Sequence, residues 1–242
     1  MKKKVLTIAL AIALIAIMVS GSLAYFTAQD EVTNTFTIGS VEIEIWENNA
    51  PTDEDQMVFD KPLMPIVNVQ APAEDESYIP KVVKVENTGK SDAYIRTHIA
   101  VPTKLIGYLE LKVNMDNSDW SYLGMTQATV DGVDYTVFTY DYLQAVAGDG
   151  FTAELLQGAY LKSEVDLKDD PATEAEDLVL CKPNGDGTYT FSGYVGYTAG
   201  NGGYTANKLQ ILVASEAIQT QGFDGATAAL NAGFGTGTNP WQ

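Results

Sequence analysis

The sequence predicts an all-β protein: one β-sandwich domain with one or two short helical insertions. Three observations lead there. Apolar and polar residues alternate with period two along most of the chain, which stands successive side chains on opposite faces of a sheet. Glycine-bearing turn signals separate the alternating stretches, as hairpins require. Only one cysteine is present, so no internal disulfide can substitute for a hydrophobic core, and a chain of this length supplies one.

The first 24 residues stand apart from this pattern. Lys2, Lys3 and Lys4 precede an apolar run from Val5 to Val19 broken only by Thr7, and Ser20, Gly21, Ser22, Leu23 and Ala24 follow. A basic start, an apolar stretch and a small-residue pair at Ser22 and Ala24 predict a signal peptide over 1–24, cut between Ala24 and Tyr25. The apolar run stops short of the roughly 20 residues a spanning helix needs. The alternative is an uncleaved anchor, which Leu23, Ala24, Tyr25 and Phe26 would help to complete. No other run approaches spanning length, so a second anchor is not expected.

From Tyr25 the elements follow in order. Residues 31–38, EVTNTFTI, have high β-propensity and lack glycine and proline. Alternation sets Val32, Asn34, Phe36 and Ile38 on one face and Thr33, Thr35 and Thr37 on the other. SVEIEIWE sets Val41, Ile43 and Ile45 against Glu42 and Glu44. PKVVKVENTG turns Val83 and Val85 inward and ends in an Asn-Thr-Gly turn. DAYIRTHIAVP alternates Ala93, Ile95, Thr97, Ile99 and Val101 against Tyr94, Arg96 and His98, with Pro102 closing the strand.

LELKVN is a short strand, and TVDGVDYTVFTYD is a hairpin turning at Asp131-Gly132. A second hairpin turns around 184–187. NKLQILVASEA is the last strand, and its apolar run from Ile211 to Ala214 predicts burial on both faces. Two helices are expected. One lies in GFTAELLQGAYLKS, on the spacing of Leu155, Leu156, Ala159 and Tyr160 with Thr152 as cap. The other lies in FDGATAALNAGFG, from Asp224 to Gly233. The stretches 48–79 and 163–177 read as solvated surface loops.

Charge narrows the function classes. The chain has 14 basic and 32 acidic residues, a net charge of −18, and losing Lys2, Lys3 and Lys4 with the leader takes it to about −21. Such a surface repels phosphate backbones and anionic headgroups, so no nucleic acid partner is expected, and contact with the membrane only through the uncleaved leader. Cys181 lies among apolar strand residues. Burial as a small hydrophobe and an intermolecular bridge are its two readings.

The catalytic constellations fail on residue count and spacing. TGKS at 88–91 lacks the first P-loop glycine, because position 84 is lysine, and no helix follows it. His98 is the only histidine, so neither a two-histidine zinc helix nor the usual zinc cluster can be built. A triad on His98 would draw its base from mid-strand, with no strained nucleophile turn nearby. Acidic clusters occur at 53–55, 74–76, 166–170 and 174–177, without EF-hand spacing. They read as solvated loops, with calcium the one ion to consider. No catalytic, cofactor-binding or metal-ligating residue is assigned, and the chain is not expected to be an enzyme. The tyrosines of GTYTFSGYVGYTAGNGGY suit strand packing, or else a glycan-stacking surface.

Three stretches resemble the TasA/camelysin family of exported bacterial surface proteins. They are GSLAYFTAQDEVTNTFTIGSVEIE (21–44), VVKVENTGKSDAYIRTHIAV (82–101) and LQILVASEAIQTQGF (209–223). The middle, about 103–205, does not align. The resemblance implies a jelly-roll-like β-sandwich and leader removal by a dedicated SipW-type signal peptidase. It also implies an extracellular life at the cell surface or in a biofilm matrix, in fibres made of this chain or related subunits. In such fibres the N-terminal strand of one subunit, here 25–38, is received by the sheet of the next. The metallopeptidase label attached to camelysin finds no histidine cluster here.

A terminal strand such as 31–38 can complete its own sheet or be donated to a neighbour, with Val32, Asn34, Phe36 and Ile38 as its register face. The leading expectation is therefore a secreted structural fibre subunit. A camelysin-like surface metallopeptidase and a monomeric adhesin or glycan-binding module are the alternatives.

Overall fold

Strands rich in β-branched residues form the centre of the molecule, with their prolines confined to strand ends, at Pro80 of β5 and Pro102 of β6. The computed structural model describes residues 27–29, 40–51, 58–59, 64–115, 119–173, 176–200, 203–207 and 209–242. In chain order the strands are β1 (Thr27–Gln29), β2 (Ile43–Glu47), β3 (Ala50–Pro51), β4 (Val58–Phe59), β5 (Ile79–Asn87) and β6 (Ala93–Pro102). Next come β7 (Leu109–Val113), β8 (Trp120–Val130), β9 (Val133–Tyr142), β10 (Gly150–Phe151), β11 (Leu156–Leu161) and β12 (Asp166–Asp169). The last are β13 (Leu178–Pro183), β14 (Tyr189–Gly200), β15 (Gly203–Ala206), β16 (Leu209–Gln210) and β17 (Leu212–Gln219), followed by helix α1 (Ala226–Phe234).

Two antiparallel sheets make the sandwich. The first runs β1-β17-β6-β9-β8; the second runs β3-β2-β5-β11-β7, with β10 also on β5. The chain crosses between the two sheets at β5 to β6, β6 to β7, β7 to β8 and β9 to β10, while β8 and β9 stay in one sheet as a hairpin. Val83 and Val85 of β5 meet Ile95, Ile99 and Val101 of β6 in one buried cluster with Trp120, Leu156 and Leu161. A third sheet, β12-β13-β14-β15, docks beside the sandwich. There Tyr108 Oη donates to the Thr190 carbonyl at 3.1 Å, and Lys182 Nζ to that of Gly107 at 2.6 Å. Strands β4 and β16 form a two-stranded ladder.

The two hairpins stand where their glycines predict. Asp131 and Gly132 both take positive φ, 51° and 79°, between β8 and β9, the geometry that matches strand twist. The TGKS segment is a turn. Asn87 closes it, accepting from Gly89 N–H and donating to the Ser91 and Val146 carbonyls. Gly89 and Lys90 N–H then donate to Glu42 and Ser40.

Four expectations need correction. Residues 150–163 are not helical. They form β10 and then β11, a central strand between β5 and β7. A register shift between Leu156 and Gly158 interrupts the alternation, so the buried side chains fall at a false helical spacing. Thr152 caps nothing helical; its backbone N–H and Oγ1 both pair with Val85.

Helix α1 begins after Gly225 with no side-chain cap, so Asp224 does not cap it, and it closes at Gly235 (φ 85°) rather than at Gly233. The 48–79 and 163–177 stretches are not loops throughout. Strands β3 and β4 lie in the first, and β12 in the second, where Val165 is buried and Leu167 packs on the core. Finally, β6 is buried on both faces: Arg96, His98 and Ala100 are as enclosed as Ile95 and Ile99. Helix α1 and the C-terminal residues cover that second face, with Ile218, Ala226, Ala229 and Leu230 forming their own cluster.

Candidate functional site

The edge of the first sheet at β17 is the place where the two ends of the protein meet. On one side β17 pairs with β6 over eight residues, Leu212–Gln219 against Ala93–Ala100. On its other side β1 pairs with three: Thr27 opposite Ile218, Ala28 opposite Ala217 and Gln29 opposite Glu216. The pairing is antiparallel, and among the described residues it leaves Leu212–Ser215 with a ladder on the β6 side alone.

Charged residues stand directly behind this edge. Gln29, Glu216, Arg96, Asp141 and Ser121 form one register row across all five strands. Arg96 Nε donates to Asp141 Oδ1 at 2.7 Å and Nη2 to Oδ2 at 3.3 Å. Nη1 and Nη2 also reach over to the cover, to the Gly235 carbonyl at 2.9 Å and Asn231 Oδ1 at 2.8 Å. A guanidinium carries five donors, and four hydrogen bonds tie this one to β9, the helix and the residue that follows it.

Two residues along β6 from Arg96, His98 Nδ1 lies 2.9 Å from Thr139 Oγ1, and its Nε2 lies 3.5 Å from Glu216 Oε2. A hydroxyl, an imidazole and a carboxylate in sequence resemble a nucleophile relay in composition. Yet His98 is 0% exposed, Glu216 4% and Thr139 7%, and the Trp241 ring packs edge-on above His98 at 6.4 Å. The 3.5 Å imidazole–carboxylate separation is too long for a hydrogen bond, and the group has no route for a substrate. His98 is a core residue.

The residues expected to carry function divide sharply. Ala24, Tyr25, Val32, Asn34, Phe36 and Ile38 lie outside the described residues, as does the acidic run at 53–55. The other acidic clusters serve local structure. Asp75 accepts from the backbone N–H groups of Asn68, Ser77 and Val67, which together hold its carboxyl below the usual range. Lys168, 2.9 Å from Asp166, does the same there. Asp170 accepts from Ala172 N–H and Asp177 from Ala199 N–H. No group of three or more metal-ligating side chains forms among the described residues.

Cys181 is buried on β13. Enclosure raises its thiol above the ordinary value, as in a packing residue. The tyrosines of β14 and β15 do not share one surface: Tyr189 and Tyr204 are exposed, whereas burial, aided by Tyr135, pushes the Tyr194 hydroxyl up to about 12. No helix among the described residues is long and apolar enough to cross a membrane.

Two features escaped the sequence reading. The Arg96–Asp141 pair could not be matched across 45 positions, although an arginine within an apolar strand is itself a signal of a buried partner. The second is β8, the opposite edge of the first sheet, where Tyr122, Leu123 and Met125 are exposed. Compared with family models, curated proteins and solved structures, the chain has no match in any of the three.

Proposed function

We propose that this chain is an exported structural subunit of extracellular surface or matrix fibres, joined when the N-terminal strand of one subunit is received by the sheet of the next. One observation carries the reading. The N-terminal strand meets the sheet at an edge, through three residue pairs on β17. Exchanging that strand between neighbours replaces each lost pair with an identical one, the condition under which swapping costs little. The resemblance of residues 21–44, 82–101 and 209–223 to exported fibre proteins supports it, as does a leader whose removal would free the strand. The acidic surface keeps subunits soluble until they engage.

Ala28 and Ala217 face each other in the β1–β17 register, which supplies the test. Ala28→Cys and Ala217→Cys are combined in a Cys181→Ala background, polymerised and oxidised. A ladder of covalent multimers on a non-reducing gel is the expected result. Fibres that dissolve into cross-linked monomers would show that the strand pairs within its own subunit, and the proposal would fail. Deleting 25–38 should leave a folded monomer that does not polymerise.

A further inference from the structure

Beyond the fibre reading, and independent of it, a polar cleft of about 450 Å³ opens at the far end of the first sheet. Three separate parts of the chain build it: Thr103 in the 3-10 turn after β6, Gln127, Thr129 and Asp134 on the β8–β9 hairpin, and the C-terminal Trp241 and Gln242. Its volume lies within the ~300–1,000 Å³ of small-molecule sites.

The walls are held in place. Gln127 Nε2 donates to Thr136 Oγ1 at 3.1 Å, and Thr103 Oγ1 donates to Gln127 Oε1 at 3.1 Å. Thr129 Oγ1 donates to Asp134 Oδ1 at 2.8 Å, which fixes that carboxylate. Trp241 is positioned from beneath. Its backbone N–H donates to Asn239 Oδ1 at 3.0 Å, the buried Asn239 amide donates to Thr126 Oγ1 at 2.7 Å, and Gln242 Nε2 donates to the Gln127 backbone carbonyl at 3.3 Å. The His98 ring meets the indole edge-on, at 79°. The half-buried indole is thereby pinned on its inner side and lines the cleft with the remainder.

We infer that this cleft binds a neutral saccharide. A sugar ring carries apolar C–H faces and a girdle of hydroxyls, and the cleft offers a fixed aromatic wall beside amides, hydroxyls and a carboxylate. Among the described residues no lysine or arginine lines it, and with Asp134 at its rim and a net charge of −18 it disfavours uronates, sulfated sugars and phosphates. The single histidine thus acts as a positioning residue for the aromatic wall.

The full chain is applied to an array of neutral, acidic and amino glycans, and the best ligand is titrated by calorimetry. Retention on neutral glycans is expected, with Trp241→Ala and Asp134→Asn each weakening binding about tenfold. Trp241→Phe should keep an intermediate affinity. Because Asp134 and Gln127 are exposed, Asp134→Asn and Gln127→Ala preserve the fold and keep the test decisive even if Trp241→Ala does not. No neutral ligand, a preference for acidic or amino glycans, or binding indifferent to Asp134→Asn and Gln127→Ala would each overturn the assignment. Loss of glycan binding with normal fibres would leave the structural role untouched, and the reverse result would separate the two in the other direction.

Discussion

The guanidinium of Arg96 and the carboxylate of Asp141 form a two-point ion pair on adjacent strands, with side-chain exposures of 1% and 0%. Two more guanidinium contacts tie the sheet to the Gly235 carbonyl and to Asn231. Removing one member of such a pair strands the other charge in a dry site, at a cost of about 3–5 kcal/mol. Asp141→Ala should therefore lower the unfolding free energy measured in urea by an amount in that range, and Arg96→Met should do likewise. The double variant should recover much of the loss, since neither charge is left behind. Hydrogen exchange adds a specific signature: Arg96→Met should raise exchange in Ala226–Gly235 before the sheet opens. If that helix stays as protected as in the wild type, the guanidinium is not what fastens it.

This pair also marks where the sequence stopped being readable. The period-two pattern placed Val83, Val85, Ile95 and Ile99 in the core, and Asp131-Gly132 at a hairpin, because those signals are local. Pairing is not local. Alternation says that Arg96 and His98 oppose Ile95 and Ile99; it does not say that a C-terminal helix lies over them. Residues 155–161 failed for the converse reason. A register shift at Leu156–Gly158 mimics helical spacing, and only the neighbouring strands β5 and β7 reveal it. The cleft at Trp241 joins the C-terminus to residues more than a hundred positions earlier, so its parts formed no motif. The edge at β17 was half legible: its strand was expected, but Val213 and Ala214 are only half-buried rather than enclosed on both faces, and its partner across the chain was not expected.

Asp75 gives a prediction in pH. Backbone N–H groups of Asn68, Ser77 and Val67 converge on its carboxylate and lower its pKa in the folded state. A depressed folded value means that the stabilisation is present above the unfolded aspartate value and is lost as pH falls through the folded one. The 64–78 loop should therefore keep its conformation through the pH range in which ordinary carboxylates protonate, and release below it. Amide NMR shifts of Val67, Asn68 and Ser77 should titrate together, with a midpoint below the ordinary aspartate value. In Asp75→Asn that common titration should vanish. Independent midpoints for the three amides would mean that Asp75 does not organise the loop.

Gly158 tests the corrected assignment of residues 150–163. In β11 its Cα faces the Tyr78 ring and the Ile79 backbone so closely that an added Cβ would collide with the Tyr78 hydroxyl end and lie 2.5 Å from the Ile79 carbonyl oxygen. Its φ is not positive, so the requirement is space rather than backbone freedom. In a helix, alanine at this position would be stabilising by roughly 0.5–1 kcal/mol. In a strand pressed against β5 it should instead destabilise by roughly 1–3 kcal/mol through overpacking. The two assignments therefore differ in sign, and a urea denaturation of Gly158→Ala separates them. Adding Tyr78→Ala should recover only part of the loss, because the tyrosine ring can be removed and the Ile79 carbonyl cannot. A Gly158→Ala protein more stable than the wild type would return this segment to a helix, and full recovery in the double variant would place the whole clash on Tyr78.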